Sequence, residues 1–348
     1  MSRILITLTI VSSLFLGCTK KTETSAESHE VILAIWGNYL SPEMQQKFEK
    51  DTGIKINISN YSSNEELLAK IQMGSSGIDV AVPSDYMVEI MTKMNLLETL
   101  KPELIPNKAD ISDLFLKQSF DPENKYSLPY TWTSTGIAYN TELYKGSITS
   151  WKDLFANKDL KGKFALLDDV REATGAALKM NGYGANTTVA SEIKKAKDTL
   201  LAAKVNVKMF TSDTIDILKN KEVVVAQAYS SDALQAAAQS GGKIAFVIPK
   251  EGTVYAIDNL VIVKGARHPE AAHKLLNFLL SKEAEISKVK NIYAGPILKD
   301  IAKELPKELQ DNPVLFPKAS EMRNMERIRD LGTDGKAYEE LWTEVKTK

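Results

Sequence analysis

From Val31 onward, short runs rich in β-branched residues alternate with helical patterns, and this alternation restricts the chain to few architectures. Val31 to Ile35 precedes a helical stretch Glu43 to Lys50; Lys55 to Ser59 precedes Glu65 to Met73; Asp79 to Val82 precedes Val88 to Met94. Strands that alternate with helices bury their apolar faces in a central sheet covered by helices, an α/β fold. The second half repeats the pattern, with Lys163 to Leu167 before Arg171 to Met180 and Val223 to Ala228 before Asp232 to Gln239. Lys243 to Ile248 and Ile257 to Val263 then read as a strand pair ahead of a strongly periodic helix from Pro269 to Leu280. Ser150-Trp151-Lys152-Asp153 has the form of a capped helix start, and Pro269 sits where a first-turn proline belongs. The roughly 315 residues involved exceed the size at which one hydrophobic core stops growing, so two lobes are expected.

The N-terminus places Arg3 before an apolar run, Ile4 to Leu16, closed by Gly17 and Cys18. This is the pattern of an export signal, and it assigns residues 1–17 to a signal peptide. The run is shorter than the roughly 20 apolar residues that span a bilayer, and no later segment approaches that length. Cys18 is the only cysteine, which excludes an intramolecular disulfide. Following Leu-Phe-Leu-Gly, it resembles the lipobox cysteine of bacterial lipoproteins, with Phe15 where leucine is usual. The expectation is an exported, periplasmic protein lipidated on Cys18 and touching the membrane through that lipid alone; the alternative is an ordinary signal with a chance cysteine. Residues 18–30 hold Lys, Thr, Ser and Glu with almost nothing apolar to bury, and read as a flexible tether.

The formal net charge of −1, without a basic cluster interleaved with aromatics, gives no sign of nucleic-acid binding. The chain lacks G-x-S-x-G, G-x-x-x-x-G-K-[ST] and H-E-x-x-H, the spacings that place a nucleophile, a phosphate or a zinc ion. Gly182-Tyr183-Gly184 opens like a dinucleotide loop but has Thr187 where a third glycine belongs. Of the three histidines, His29 lies in the tether, and His268 and His273 are not on one helix face. The sequence therefore points to no cofactor, no metal and no catalytic machinery. A hydrolase using Asp169 and Glu172 is the enzymatic alternative, set against acids at a helix start serving the cap and the dipole.

Polar and aromatic residues gather at strand-to-helix junctions, where α/β folds present ligand sites. They are Trp36-Gly37-Asn38-Tyr39, Ser84-Asp85-Tyr86, and Asp168-Asp169 with Glu172, joined by Tyr255 and Asp258 after Lys250-Glu251-Gly252. With Ser41-Pro42, Thr52-Gly53-Ile54-Lys55, Tyr61-x-x-Asn64-Glu65, Asp79-Val80-x-Val82-Pro83-Ser84, Phe120-Asp121-Pro122, Ser127-Leu128-Pro129-Tyr130-x-Trp132, Ser150-Trp151-x-Asp153-Leu154 and Asn277-Phe278-Leu279-Leu280, they form an ordered series. Through that series the chain resembles the spermidine/putrescine-binding components of bacterial ABC transporters, from Ile35 to the C-terminus. The resemblance implies a two-lobed periplasmic-binding-protein fold of type II, each lobe a mixed sheet flanked by helices, closing like a hinge over a cleft. It implies crossings near Thr135, Ala256 and Lys303, and hence a first lobe of 31–135 plus 257–303 and a second of 136–256 plus 304–348. It further implies ligand contacts by Trp36, Asn38, Tyr39, Ser84 and Tyr86 from the first lobe, Asp169, Glu172 and Tyr229 from the second, and Asp258 and Tyr293 near the crossings. The implied partners are a polyamine and the transporter's membrane permease subunits, for a protein acting as a monomer.

A polyamine is a flexible hydrocarbon with an ammonium at each end, so its site needs separated carboxylates and apolar ring walls. Four methylenes contribute roughly 3 kcal/mol and each cation–π contact about 0.5–2 kcal/mol. The charged ends must supply the rest of the roughly 8 kcal/mol of a micromolar site. Asp258 is expected to take one ammonium, and Asp169 with Glu172 the other. Three departures from the family pattern bear on the ligand: Tyr229 and Ala256 where tryptophan is usual, Asn38 where some members carry an acid, and Ile328 in place of a late glutamine. They leave open a preference for putrescine over spermidine, or another solute; an anion or amino-acid binder would use Arg171 or Arg327. A surface lipoprotein acting as a sensor or adhesin is the remaining alternative.

Overall fold

The computed structural model describes residues 29–37, 39–74 and 77–347. The expected signal peptide, Cys18 and most of the expected tether lie outside these residues, as does Asn38. Ten strands are described: β1 (Glu30–Trp36), β2 (Lys55–Tyr61), β3 (Val80–Ala81), β4 (Ser127–Asn140), β5 (Phe164–Leu166), β6 (Val207–Phe210), β7 (Val225–Tyr229), β8 (Ile244–Val247), β9 (Thr253–Ile262) and β10 (Met325–Arg327). They form a continuous curled sheet in the order β2-β1-β3-β9-β4-β7-β5-β6, with β8 paired to β4 and β10 to β9. The longer helices are α1 (Pro42–Thr52), α2 (Asn64–Gln72), α3 (Asp85–Lys93), α4 (Val170–Met180), α5 (Ala190–Lys204), α6 (Thr214–Lys219), α7 (Ser230–Gln239), α8 (Pro269–Leu279), α9 (Lys282–Ile292) and α10 (Lys336–Thr347).

Local chemistry fixes these elements. Ser41 and Ser63 cap α1 and α2, their hydroxyls accepting from Met44 N at 3.2 Å and Glu66 N at 3.1 Å. Pro42 opens α1, and Gly53, at φ 70°, ends it in the left-handed conformation that only glycine adopts cheaply. Glu30 already pairs with Lys55, so β1 begins inside the stretch read as tether. Of the cores, one gathers Val31, Leu33, Phe48, Leu260 and Leu275, another Trp151, Phe164, Leu178, Leu200 and Leu341.

Two strands belong to both lobes. β4 runs against β9 from Ser127 to Ser134, then against β7 and β8 from Thr135 to Asn140. β9 in turn meets β10 over Thr253 to Tyr255, before its pairing with β3 at Val261 and Ile262. Beyond Lys303, Leu305 and Leu315 pack with Val289 of α9, and Leu234 of α7 packs against the same cluster. β8 and β9 are not partners of each other; both pair with β4.

β4 is packed so closely at its second-lobe end that a Cβ on Gly136 would lie 2.6 Å from Val247 O and 2.4 Å from the Phe246 ring. Gly136→Ala is expected to cost about 1–3 kcal/mol through forced separation of β8. Urea unfolding followed by circular dichroism measures it, and an unchanged midpoint would show that β8 yields freely.

Candidate ligand-binding cleft

A cavity of about 520 Å³ opens where the strands point their carboxyl ends, between the two lobes. β1 delivers Trp36 and the turn carrying Tyr39; β3 delivers Ser84 ahead of α3 and Tyr86 in its first turn. β5 leads into Asp169 and Glu172, β7 ends at Tyr229, and β9 contributes Asp258. These eight expected residues all line the cavity. Tyr293 does not: it sits half-buried at the C-terminus of α9 in a left-handed conformation, φ 51°, and is absent from the lining among the described residues.

Asp258, only 3% exposed, is held from two sides. Tyr39 donates its hydroxyl to Oδ2 at 2.8 Å, and Ser84 donates to Oδ1 at 2.7 Å. Ser84 is itself fixed by Asn64, whose side chain accepts from its backbone N–H at 3.0 Å and donates to its hydroxyl at 3.1 Å. Burial raises the Asp258 carboxyl to about 6 against the lowering pull of those two hydroxyls.

On the facing lobe, Asp169 caps α4, its Oδ1 accepting from Arg171 N at 2.8 Å and Glu172 N at 3.0 Å. The capping and cavity-lining readings are thus both realised by one side chain. Glu172 accepts from Thr135 Oγ1 at 2.5 Å, and burial, then the neighbouring Asp169, raise its carboxyl to about 8. Arg171 directs its guanidinium elsewhere, donating to Arg329 O at 2.9 Å and Asn186 Oδ1 at 2.8 Å, with its carbon 4.9 Å from the Tyr338 ring centre.

The lining also holds residues that the sequence reading passed over. Asp232, in the first turn of α7, accepts from Thr214 at 3.0 Å, and burial raises it to about 6. Glu65 accepts from the Tyr86 hydroxyl at 3.0 Å. Glu339 and Trp342 enter from α10. In all, Glu65, Asp168, Asp169, Glu172, Asp232, Asp258 and Glu339 face the cavity with a single basic residue, Arg171, beside the rings of Trp36, Tyr39, Tyr86, Tyr229 and Trp342. Of these acids, Asp168 is paired with Lys346 at 2.7 Å. Such a surface receives a cation with an apolar body. No group of three or more potential metal ligands occurs among the described residues.

Two α/β lobes joined by shared strands, with a ligand-sized cavity at the carboxyl ends between them, define a hinge-type solute-binding protein. The sequence pattern described as bacterial extracellular solute-binding protein matches residues 43–317. The spermidine/putrescine-binding periplasmic protein 1 of Haemophilus influenzae is 34% identical over 353 residues, covering 98% of this chain and 98% of its own length. The putrescine/cadaverine-binding protein of Pseudomonas aeruginosa is 32% identical, covering 98% of this chain and 99% of its own. Among solved structures, the TpPotD lipoprotein of Treponema pallidum superposes with a TM-score of 0.83 at 28% identity, covering 91% of this chain and 99% of its own. The chain belongs to the bacterial extracellular solute-binding proteins, in the group of the spermidine/putrescine-binding periplasmic proteins.

The raised carboxyls set a pH dependence of stability. An acid whose folded pKa lies above its unfolded value binds its proton more tightly when folded, so its contribution is complete below about pH 4 and is lost as pH rises through the folded value. For Asp258 and Asp232 that loss is complete by about pH 6, and for Glu172 by about pH 8. The ligand-free protein should therefore melt higher at pH 5 than at pH 8.5; a melting temperature that rose over this interval would contradict the burial of these acids.

Proposed function

We propose that this protein captures a polyamine in the inter-lobe cleft and presents it to the permease subunits of an ABC transporter. The observation that carries the reading is the charge of the cavity lining, seven carboxylates against one guanidinium with five aromatic rings. Asp258 binds one ammonium, aided by Asp232, whose charge acts on the same ring, Tyr39. Asp169 and Glu172 bind the other, and Trp36, Tyr39, Tyr86 and Tyr229 wall the methylenes. Tyr293 drops out of this set, and Asn38 lies outside the described residues.

Desolvated carboxylates without a cation are costly, so the site gains most when a cation replaces the protons that burial retains. The protein has no catalytic role on this reading; it binds and releases its ligand as the lobes close and open about β4 and β9. It is exported through its signal peptide, carried as a monomer, and held at a membrane by lipid on Cys18. Cys18→Ser should release it from the membrane fraction on detergent-free fractionation; retention by the membrane would remove the lipid from the reading.

Calorimetric titration with putrescine, cadaverine, spermidine, glutamate and arginine tests the ligand class. Saturable binding of one or more polyamines is expected, with Asp258→Asn weakening it by about 30-fold or more. Because Glu172 is still protonated near neutrality, binding at pH 7 should release protons, seen as an enthalpy that varies with the ionisation heat of the buffer. Binding of arginine or glutamate with silence toward every amine would overturn the polyamine reading and leave the fold standing.

A further inference from the structure

Behind the wall of the cleft, α9 buries a lysine. The Lys288 side chain is 2% exposed, and the partner carboxylate Glu285 is 1% exposed at 2.5 Å. Glu285 is anchored in turn by Ile297 N at 2.5 Å and Leu298 N at 3.3 Å. Two charges removed from water repay their desolvation only with well-placed partners, and replacing them with apolar residues is often neutral or stabilising. A buried pair beside a cation site is therefore poorly explained by stability alone.

The contacts of Lys288 lead to the cleft. Its ammonium donates to Tyr130 O and lies 4.2 Å from the centre of the Tyr130 ring. The Tyr130 hydroxyl donates to Tyr39 O at 2.8 Å, and the two rings are 6.3 Å apart. Tyr39 then donates to Asp258 at 2.8 Å. Ser41, two residues beyond Tyr39, meets Ser287 of α9 at 3.2 Å, closing the same circuit from the other side.

We propose that Lys288 is a positioning residue for the cleft: through Tyr130 and Tyr39 it holds the Asp258 carboxylate in place, and it sets a cation behind that carboxylate before ligand arrives. The inference concerns the empty protein, and its use in polyamine capture rests on the function proposed above. The groups facing Asp258 are Tyr39 after β1, Tyr61 of β2, Ser84 and Asp85 at the start of α3, and Lys288 of α9. Among them Lys288 is the cation, and it acts to lower the Asp258 carboxyl; burial lowers the Lys288 ammonium in turn, and Glu285 opposes that lowering.

The test is a carbon-13 carboxyl NMR titration of Asp258 in the ligand-free protein, assigned with Asp258→Asn. The wild-type midpoint is expected near 6. Lys288→Met keeps the stem and deletes the charge, and should move the midpoint up by about 1 unit. Glu285→Gln removes the carboxylate that holds the buried lysine protonated, so it favours the neutral amine and should move the midpoint up as well. Should either variant fold poorly, the Lys288→Met/Glu285→Gln pair, neutral throughout, should still titrate above wild type. Midpoints that stay at the wild-type value in folded variants would overturn the inference. Putrescine titrations of the same samples across pH 5–8 separate the two ideas: a wild type that binds no amine while the midpoints move would defeat the polyamine reading and leave Lys288 in its role.

Discussion

Asp258 is a carboxylate almost without access to water, reached by two hydroxyl donors and by no cation within the cleft. Everything around it is arranged so that this is tolerable. Ser84 can donate because Asn64 occupies its other hydrogen-bonding positions, and Asn64 stands at the first residue of α2, where Ser63 has fixed the helix start. Tyr39 can donate because its backbone is held by Tyr130 and by the turn that follows β1. Hydroxyls lower the cost of a buried negative charge without neutralising it, which leaves the carboxylate ready for a cation.

The same strands that place the acids also join the lobes. Ser134 pairs with Tyr255 and Thr135 with Tyr229, so the strand that passes between lobes at this point donates its threonine hydroxyl to Glu172. Asp258 lies opposite Thr131 on β9, just beyond the register shift at Pro129. A rotation about these strands thus changes the distance between the two groups of acids while leaving each group internally intact. Binding residues and hinge are not separate parts of this molecule.

Much of this was legible in the sequence, for reasons that differ by residue. Strands β1 and β5 showed as short apolar runs, whereas β2 and helices α1, α2 and α8 announced themselves through periodicity and caps, because each of these has one face toward a core and one toward solvent. β4 did not. It is buried along nearly its whole length and carries Pro129 at an irregularity, so it shows no alternation and includes a residue that argues against a central strand. Trp36, Tyr39, Ser84, Tyr86, Asp169, Glu172, Tyr229 and Asp258 could be placed at strand ends from the ordered series of motifs. Asp232 was hidden because an acid in the first turn of a helix has an ordinary electrostatic explanation. Glu339 and Trp342 had no local signal, since only the return of α10 to the second lobe brings them to the cavity.

On the proposed reading, the surplus of carboxylates decides when the lobes close. Asp169 raises the proton affinity of Glu172 within one lobe, and Glu65 of the other lobe acts in the same direction on Asp169. Bringing the lobes together without ligand therefore concentrates like charge in a space that excludes water, and the alternatives are protonation or opening. A diamine removes this opposition at both ends at once, while its methylenes fill the space between rings contributed by both lobes. A neutral solute of the same length would gain the apolar burial but leave the carboxylates unpaired, and an anion would add to their repulsion. The selectivity of the cleft for cations thus follows from the cost of closing it empty, and that cost is set by acids whose hydrogen-bond partners all lie within the protein.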